Sequence, residues 1–349
     1  MKFIFQMRNL FILVFLCAPL AFANQFTNPY LGNIAVADHS EHELKVLALK
    51  QVLVKTSGNA DIINFQETDL AVKKVDQFLS QYGYQNLFNT RYFMAVFDQF
   101  KINQVLKDMQ QPIWGETRPI TLIWLVTDGG NERQFVSDNL INQNSDSSLS
   151  PVFLNQQYNR GIKLQFPIMD LEDRLALSIS DVSGRFYNEI AMATKRYGVD
   201  HFVAANLKQI DTETWSLSWE LIKSSAKQNK ILVADKIRGK KTQLESQMVN
   251  KIADYYASQY AVSENQGEKF SQTIYIDGVN SLAKLSQLNK VLTDLLAVAS
   301  FEIRSVQGGQ VTVDIKINGG FNSFKNGLFV QSNLQPDLSQ GEDFHFNWR

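Results

Sequence analysis

The sequence predicts an α+β protein: two or three small modules of antiparallel or mixed sheet covered by helices, behind a cleavable signal peptide. Three observations predict it. Strand-like runs follow one another directly instead of alternating strictly with helices, as antiparallel or mixed pairing requires. Between 215 and 221, Trp215, Leu217, Trp219 and Leu221 alternate with Ser216, Ser218 and Glu220, so the strand has one apolar and one polar face. Leu244, Met248, Ile252 and Tyr256 recur at helical spacing, giving a helix one face with which to cover such a sheet.

At the amino terminus, Lys2 and Arg8 precede an apolar run from Leu10 to Leu16, then Pro19 and Ala21-Phe22-Ala23. Basic, apolar and small-x-small regions in that order read as a secretory signal, with cleavage expected between Ala23 and Asn24. The apolar run is shorter than the ~20 residues a spanning helix needs. Cys17 does not read as a lipid attachment site, because Leu16 stands where a small residue is required and the cysteine lies inside the apolar run. As Cys17 is the only cysteine, the mature chain would carry no disulfide, thiolate metal site or cysteine nucleophile. With 34 basic and 35 acidic residues and no polybasic run, counterion-release binding to nucleic acid has little to act on. No second apolar run of spanning length follows, so the expected mature protein is periplasmic, without an integral membrane span.

The N-terminal α+β module (24–111) starts with a strand at Leu31–Ala37. Ser40 and Glu43 then form a capping box for a helix with Leu44, Leu47, Ala48 and Val52 on one face, stopped by Ser57-Gly58-Asn59. A second helix is expected over 67–79. Tyr82–Phe88 and Arg91–Phe97 read as a hairpin around Asn89-Thr90, and a helix over 98–109 closes the module. A connector follows (112–119), in which two prolines bracket Trp114 and Gly115.

The central α+β module (120–262) opens with the apolar strand Ile120–Thr127 and carries a polar loop insert, loosest from 144 to 150, with a short helix within 131–144. A short strand at Lys163–Pro167, a helix at Asp181–Tyr197, strands at 201–210, 214–222 and 231–238, and a helix at 242–260 complete it as helices on a sheet. The C-terminal module (263–335) reads as βαββ: a strand at 273–276, a helix at 281–299 and a hairpin of 301–306 with 311–317 across Gly308-Gly309. The tail, 336–349, reads as disordered, although Phe344, Phe346 and Trp348 alternate.

Val36-Ala37-Asp38-His39-Ser40, the run from Gln51 to Asn59, Tyr82-Gly83-Tyr84 and Trp114-Gly115-Glu116-Thr117-Arg118-Pro119 before Leu122-Ile123-Trp124-Leu125 occur in an order that resembles an exported proteobacterial family, domain-of-unknown-function family 2066. The resemblance implies an envelope-associated protein and carries no catalytic residues with it. The central module also looks like small periplasmic domains of envelope assembly and flagellar-ring accessory proteins, a likeness of topology that does not set function.

Candidate chemistry is sparse. His39 and His42 beside Asp38 and Glu43 have helical spacing for two imidazoles, but helix-start chemistry already accounts for Ser40 and Glu43. Asp170, Glu172 and Asp173, with Asp181 nearby, cluster without the glycine and spacing of a calcium loop, and read as helix caps. His201 reads as an edge histidine satisfied by its surroundings. Trp114 and Arg118 form the most site-like pair: an indole and a guanidinium on one connector could stack and pair with a ligand or partner. Their other reading is a plug between modules, with Arg118 bonding nearby carbonyls. No catalytic residue, metal site or cofactor is expected. The leading functional expectation is a non-catalytic envelope accessory or protein-binding module with an envelope protein as partner. The alternative is a hydrolase of an envelope polymer that uses Asp170, Glu172 or Asp173 as acid and base.

Overall fold

The computed structural model describes residues 28–87, 90–116, 118–130, 132–138, 150–225, 228–263, 270–319, 321–330, 334–337 and 344–348. The predicted signal peptide, the Asn89 hairpin turn, the loop at 144–149 and residues 131 and 139–144 of the stretch expected to include a short helix lie outside these residues, and the described part of that stretch holds the strand Arg133–Phe135.

Leu31–Ala35 (β1) pairs with Thr90–Phe97 (β3), which pairs with Leu79–Leu87 (β2), all antiparallel. Glu41–Ser57 (α1) crosses this sheet and begins at the capping box, with the Ser40 side chain accepting from Glu43 N–H and Glu43 reaching back. Gly58 ends it at φ 73, giving its N–H to Val54 O. The expected second helix is two short ones, Gln66–Val72 (α2) and Val75–Phe78 (α3), because the chain turns at Lys73-Lys74 and buries Val75. Gln99–Asp108 (α4) starts on the Asp98 side chain. Leu44, Ala48, Leu49 and Val52 meet Phe93, Ala95 and Phe97 in the core of this unit.

The central sheet contains Ile120–Asp128 (β4), Arg133–Phe135 (β5), Lys163–Gln165 (β6), His201–Gln209 (β7), Trp215–Ser224 (β8) and Asn229–Gly239 (β9). The order is β5-β4-β7-β8-β9, with β6 lying parallel to the start of β4 on the same side as β5. β7 also runs parallel to β4, and the other pairs are antiparallel. Ser150–Arg160 (α5) and Lys241–Tyr260 (α9) lie against one face, where Ile123, Val203, Leu217, Trp219, Met248 and Ile252 share a core. Leu171–Ala176 (α6), Ile179–Ser183 (α7) and Tyr187–Lys195 (α8) cover the other face, where Leu122, Trp124, Phe202, Val182 and Ile190 pack. Helices therefore sandwich this sheet from both sides. The helix expected over 181–197 breaks at Arg185, which takes φ 62 and sends its guanidinium to the carbonyls of Ala204 and Ser218. His201 opens β7, a central strand and not an edge, and its Nδ1 lies 2.6 Å from Asp200 Oδ1.

In the C-terminal sheet, Phe270–Asp277 (β10), Val298–Gln307 (β11), Gln310–Ile317 (β12), Leu334–Pro336 (β13) and His345–Trp348 (β14) take the order β11-β12-β10-β14-β13. Leu282–Asp294 (α10) and Phe321–Val330 (α11) pack with it. The helix expected to reach 299 stops at 294, since the chain from Val298 joins β12. The largest departure from expectation is the tail: 345–348 are not disordered but form β14, parallel to β10. The alternation of Phe346 and Trp348 is the reason, because both enter the core of this sheet. Phe346→Ala should therefore lower stability by roughly 3–5 kcal/mol, read as a shifted urea midpoint; a change within 0.5 kcal/mol, about that of a surface substitution, would contradict this packing.

Candidate functional site

The connector lies where the cores meet. Ile113 belongs to the core of the N-terminal sheet, Trp114 to that of the central sheet, and Val262 to that of the C-terminal sheet. Ile113 and Val262 exchange backbone hydrogen bonds of 2.8 and 2.9 Å, and Trp114 N–H donates to Thr56 O at 2.6 Å. Gly58, at the end of α1, approaches so closely that a Cβ there would stand 2.3 Å from Ala257 Cβ. Three chain segments thus meet through backbone hydrogen bonds and close approach.

Arg118 completes the joint. Its guanidinium carbon lies 3.9 Å from the centre of the Trp114 ring. Nε donates to Gly115 O at 2.9 Å, Nη1 to Gly161 O at 3.0 Å, and Nη2 to Lys55 O at 2.7 Å and Trp114 O at 2.9 Å. Lys55 is in the last turn of α1, and Gly161 directly follows α5. The cation therefore sits at two helix C-termini, where the negative ends of the helix dipoles favour it. Gly161 has φ 65, and a Cβ there would come within 2.9 Å of Arg118 Nη1. Burial lowers the Arg118 pKa, yet the side chain stays cationic at neutral pH. The structure brings Trp114 and Arg118 together, but both are buried, at 1% and 3% exposure. The carbonyl bonds and the stacked ring leave neither a free face.

Sequence reasoning missed the groups around this joint. Gln51 takes Asn33 N–H at 2.6 Å and returns its own amide to Asn33 O at 3.1 Å, closing the outer edge of β1 as a neighbouring strand would. Lys55 Nζ donates to Leu31 O further along that edge. Burial pulls the Lys55 amine down to about 7, with Arg118 adding to the effect. Arg160 reaches Gly58 O at 3.0 Å, Asn250 at 3.0 Å and Asp254 at 2.6 Å, tying α5 to α1 and α9. The one available signal was that polar residues at 51 and 55 continue the buried stripe of α1.

The carboxylate cluster is organised around Arg196. Its Nη1 contacts Asp170 at 2.7 Å and Asp173 at 2.8 Å, and its Nε lies 3.3 Å from Glu172. Asp170 caps α6, and Asp173 accepts from Met169 N–H and Tyr197 Oη. The Arg196 bond holds the Asp170 carboxyl down at about 2. Such a group remains an anion and cannot act as a neutral-pH general acid. Asp181 serves a second capping box with Ser178. His39 and His42 are exposed beside the Ser40 cap, and among the described residues no group of three or more His, Cys, Asp or Glu side chains could hold a metal ion.

Next to this cluster the surface changes character. Ile168, Leu171 and Leu175 are 50%, 73% and 80% exposed. A groove of about 480 Å³ lies between β5 and α6–α7, with Phe135, Leu177 and Ile179 in its lining and Arg133 and Arg174 as its charged members; Ile168 and Leu175 adjoin in the chain Met169 and Arg174, two lining residues of this groove. Met169 bounds it in a left-handed conformation, φ 58. Its N–H is held by Asp173, and its carbonyl accepts from Arg174 Nε at 3.0 Å.

An α+β protein with three mixed or antiparallel sheets and a buried joint is the class these observations define. Residues 23–115 match the family described as a domain of unknown function (DUF8605), which corrects the expected kinship with domain-of-unknown-function family 2066. The short runs behind that expectation are mostly helix-start, helix-stop and connector chemistry, which unrelated chains share. No curated relative matches the sequence. Among solved structures, the LpoB C-terminal domain from Salmonella enterica is similar over 35% of this chain and 83% of its own, at 7% identity and TM-score 0.22. The PelC dodecamer from Paraburkholderia phytofirmans covers 40% and 88%, at 8% identity and TM-score 0.23. The hypothetical protein CT253 from Chlamydia trachomatis covers 40% and 98%, at 9% identity and TM-score 0.24. Likenesses this faint assign no function. Among the described residues no helix is long and apolar enough to cross a membrane.

Proposed function

We propose that this chain is an exported, periplasmic accessory protein that binds another envelope protein and carries out no chemistry of its own. The observation that carries the reading is the exposed apolar side chains of Ile168, Leu171 and Leu175 beside a groove, while the charged clusters nearby hold elements of the fold together. Apolar side chains grouped at a surface mark interaction sites and ligand-binding grooves. In this reading Trp114 and Arg118 act in recognition by fixing the connector, and hence the placement of the modules at 24–111, 120–262 and 263–335, not by touching the partner. The hydrolase alternative needs two carboxyls with separated pKa values facing a substrate, and Arg196 engages Asp170, Glu172 and Asp173 together.

The test has two arms. Mass spectrometry of protein released by osmotic shock should give an amino terminus at Asn24; retention of Met1 in the cytosol would overturn export. Purified peptidoglycan incubated with the mature protein should release no soluble fragments. Release that Asp170→Asn abolishes would overturn the non-catalytic reading.

A further inference from the structure

The groove between β5 and α6–α7 combines three properties that together specify an occupant. First, among the described residues it runs along an open sheet edge: β5 pairs with β4 on one side and with no strand on the other. Val136 N–H points inward to Leu125 O, so by the two-residue alternation of a strand the backbone groups of Arg133 and Phe135, both within β5 and both lining the groove, point outward. Among the described residues those two pair with no further strand. Second, the lining is apolar where side chains of an added strand would rest, on Phe135, Leu177 and Ile179, and exposed Leu171 lies one helical turn before Arg174 on the same side of α6. Third, the lining carries two arginines and no acid. Arg174 Nε goes to a backbone carbonyl, and the Arg133 guanidinium lies 3.9 Å from Asp128 while donating to Ser183 Oγ at 2.7 Å.

We infer that this groove takes an extended acidic segment of a partner protein, which adds a strand to the outer edge of β5. Main-chain hydrogen bonds to Arg133 and Phe135 would supply the pairing, and alternate apolar side chains would cover Leu177 and Ile179. Carboxylates of the segment would meet Arg133 and Arg174, which suits the planar fork of a guanidinium. The inference rests on the binding-protein reading above and names the partner's chemistry.

The test uses the mature chain and three fluorescent eight-residue peptides. One alternates valine with glutamate, the second has lysine for glutamate, and the third is the acidic peptide N-methylated at alternate residues. The acidic peptide should bind at least tenfold more tightly than the lysine peptide, and N-methylation should abolish binding. Arg174→Glu, on an exposed helix position and checked for fold by circular dichroism, should weaken the acidic peptide at least tenfold and favour the lysine peptide. Equal binding of the acidic and lysine peptides, no binding of any, or indifference to Arg174→Glu would overturn the inference. So would a concentration-dependent dimer that Arg174→Glu abolishes, which would make the occupant a second copy. If these arms fail while a photo-crosslinker at Leu175 still captures a partner in cells, strand addition falls and the binding-protein reading stands.

Discussion

Replacing Arg118 with alanine should lower the unfolding free energy of the mature chain by about 4–5 kcal/mol. Four carbonyls within 3.0 Å lose their donor together: those of Gly115, Gly161, Lys55 and Trp114. A buried acceptor left without its partner costs roughly 1 kcal/mol or more, and loss of the cation stacked on Trp114 adds about 0.5–1. Arg118→Lys should recover only part of this, because a single ammonium cannot reach four carbonyls on different segments or stack flat on an indole. Urea unfolding with an unchanged slope measures the difference. A loss below about 1 kcal/mol, the order of a single net hydrogen bond, would show that the backbone contacts of Ile113, Trp114 and Val262 hold the joint alone.

The second large effect concerns two buried groups of opposite sign. Glu245 is 1% exposed on α9, and neither carboxylate oxygen has a hydrogen-bond partner. Burial pushes it up from 4.5 to about 8, with Lys241 opposing. Lys55 is pushed down from 10.5 to about 7. A raised acid contributes stability that is complete below the unfolded pKa of 4.5 and is lost as pH rises through 8. A depressed lysine contributes stability that is present above 10.5 and lost as pH falls through 7. Each slope is about 1.4 kcal/mol per pH unit. Stability should therefore fall from pH 4.5 to 7, stay flat where the slopes cancel between 7 and 8, and rise from 8 towards 10. Glu245→Gln should remove the acid-side fall and raise stability near pH 8 by roughly 3–4 kcal/mol. Lys55→Met should remove the alkaline rise, less about 1 kcal/mol for the Leu31 carbonyl it leaves without a donor. Urea midpoints at pH 5, 7.5 and 9.5 would show this; a profile that neither substitution alters would contradict the burial of both groups.

Where local chemistry determines structure, the sequence was legible. The Ser40–Glu43 box, the stop at Gly58, the alternation through Trp215–Leu221 and the hairpin at Gly308-Gly309 all depend on residues within a few positions of one another. What could not be read depends on distant partners. The break at Arg185 exists because carbonyls of β7 and β8 accept its guanidinium, and β14 is a strand because β10 lies beside it. The same holds for the site. Trp114 and Arg118 stood out as residue types in a proline-bounded connector, but the acceptors of Arg118 are main-chain carbonyls, which no side-chain pattern marks. The groove is assembled from 133–137, 169 and 174–179, segments whose individual patterns read only as a loop and helix caps.

The most direct measurement of the binding-protein account is photo-crosslinking in living cells from position 175, with position 290 on the exposed side of α10 as the control. The account predicts that a crosslinker at Leu175 captures one defined envelope protein, that the same residue in place of Lys290 captures none, and that Arg174→Glu diminishes the Leu175 adduct. Equal, nonspecific adducts from both positions, or none from Leu175 in cells that express the mature protein, would contradict it.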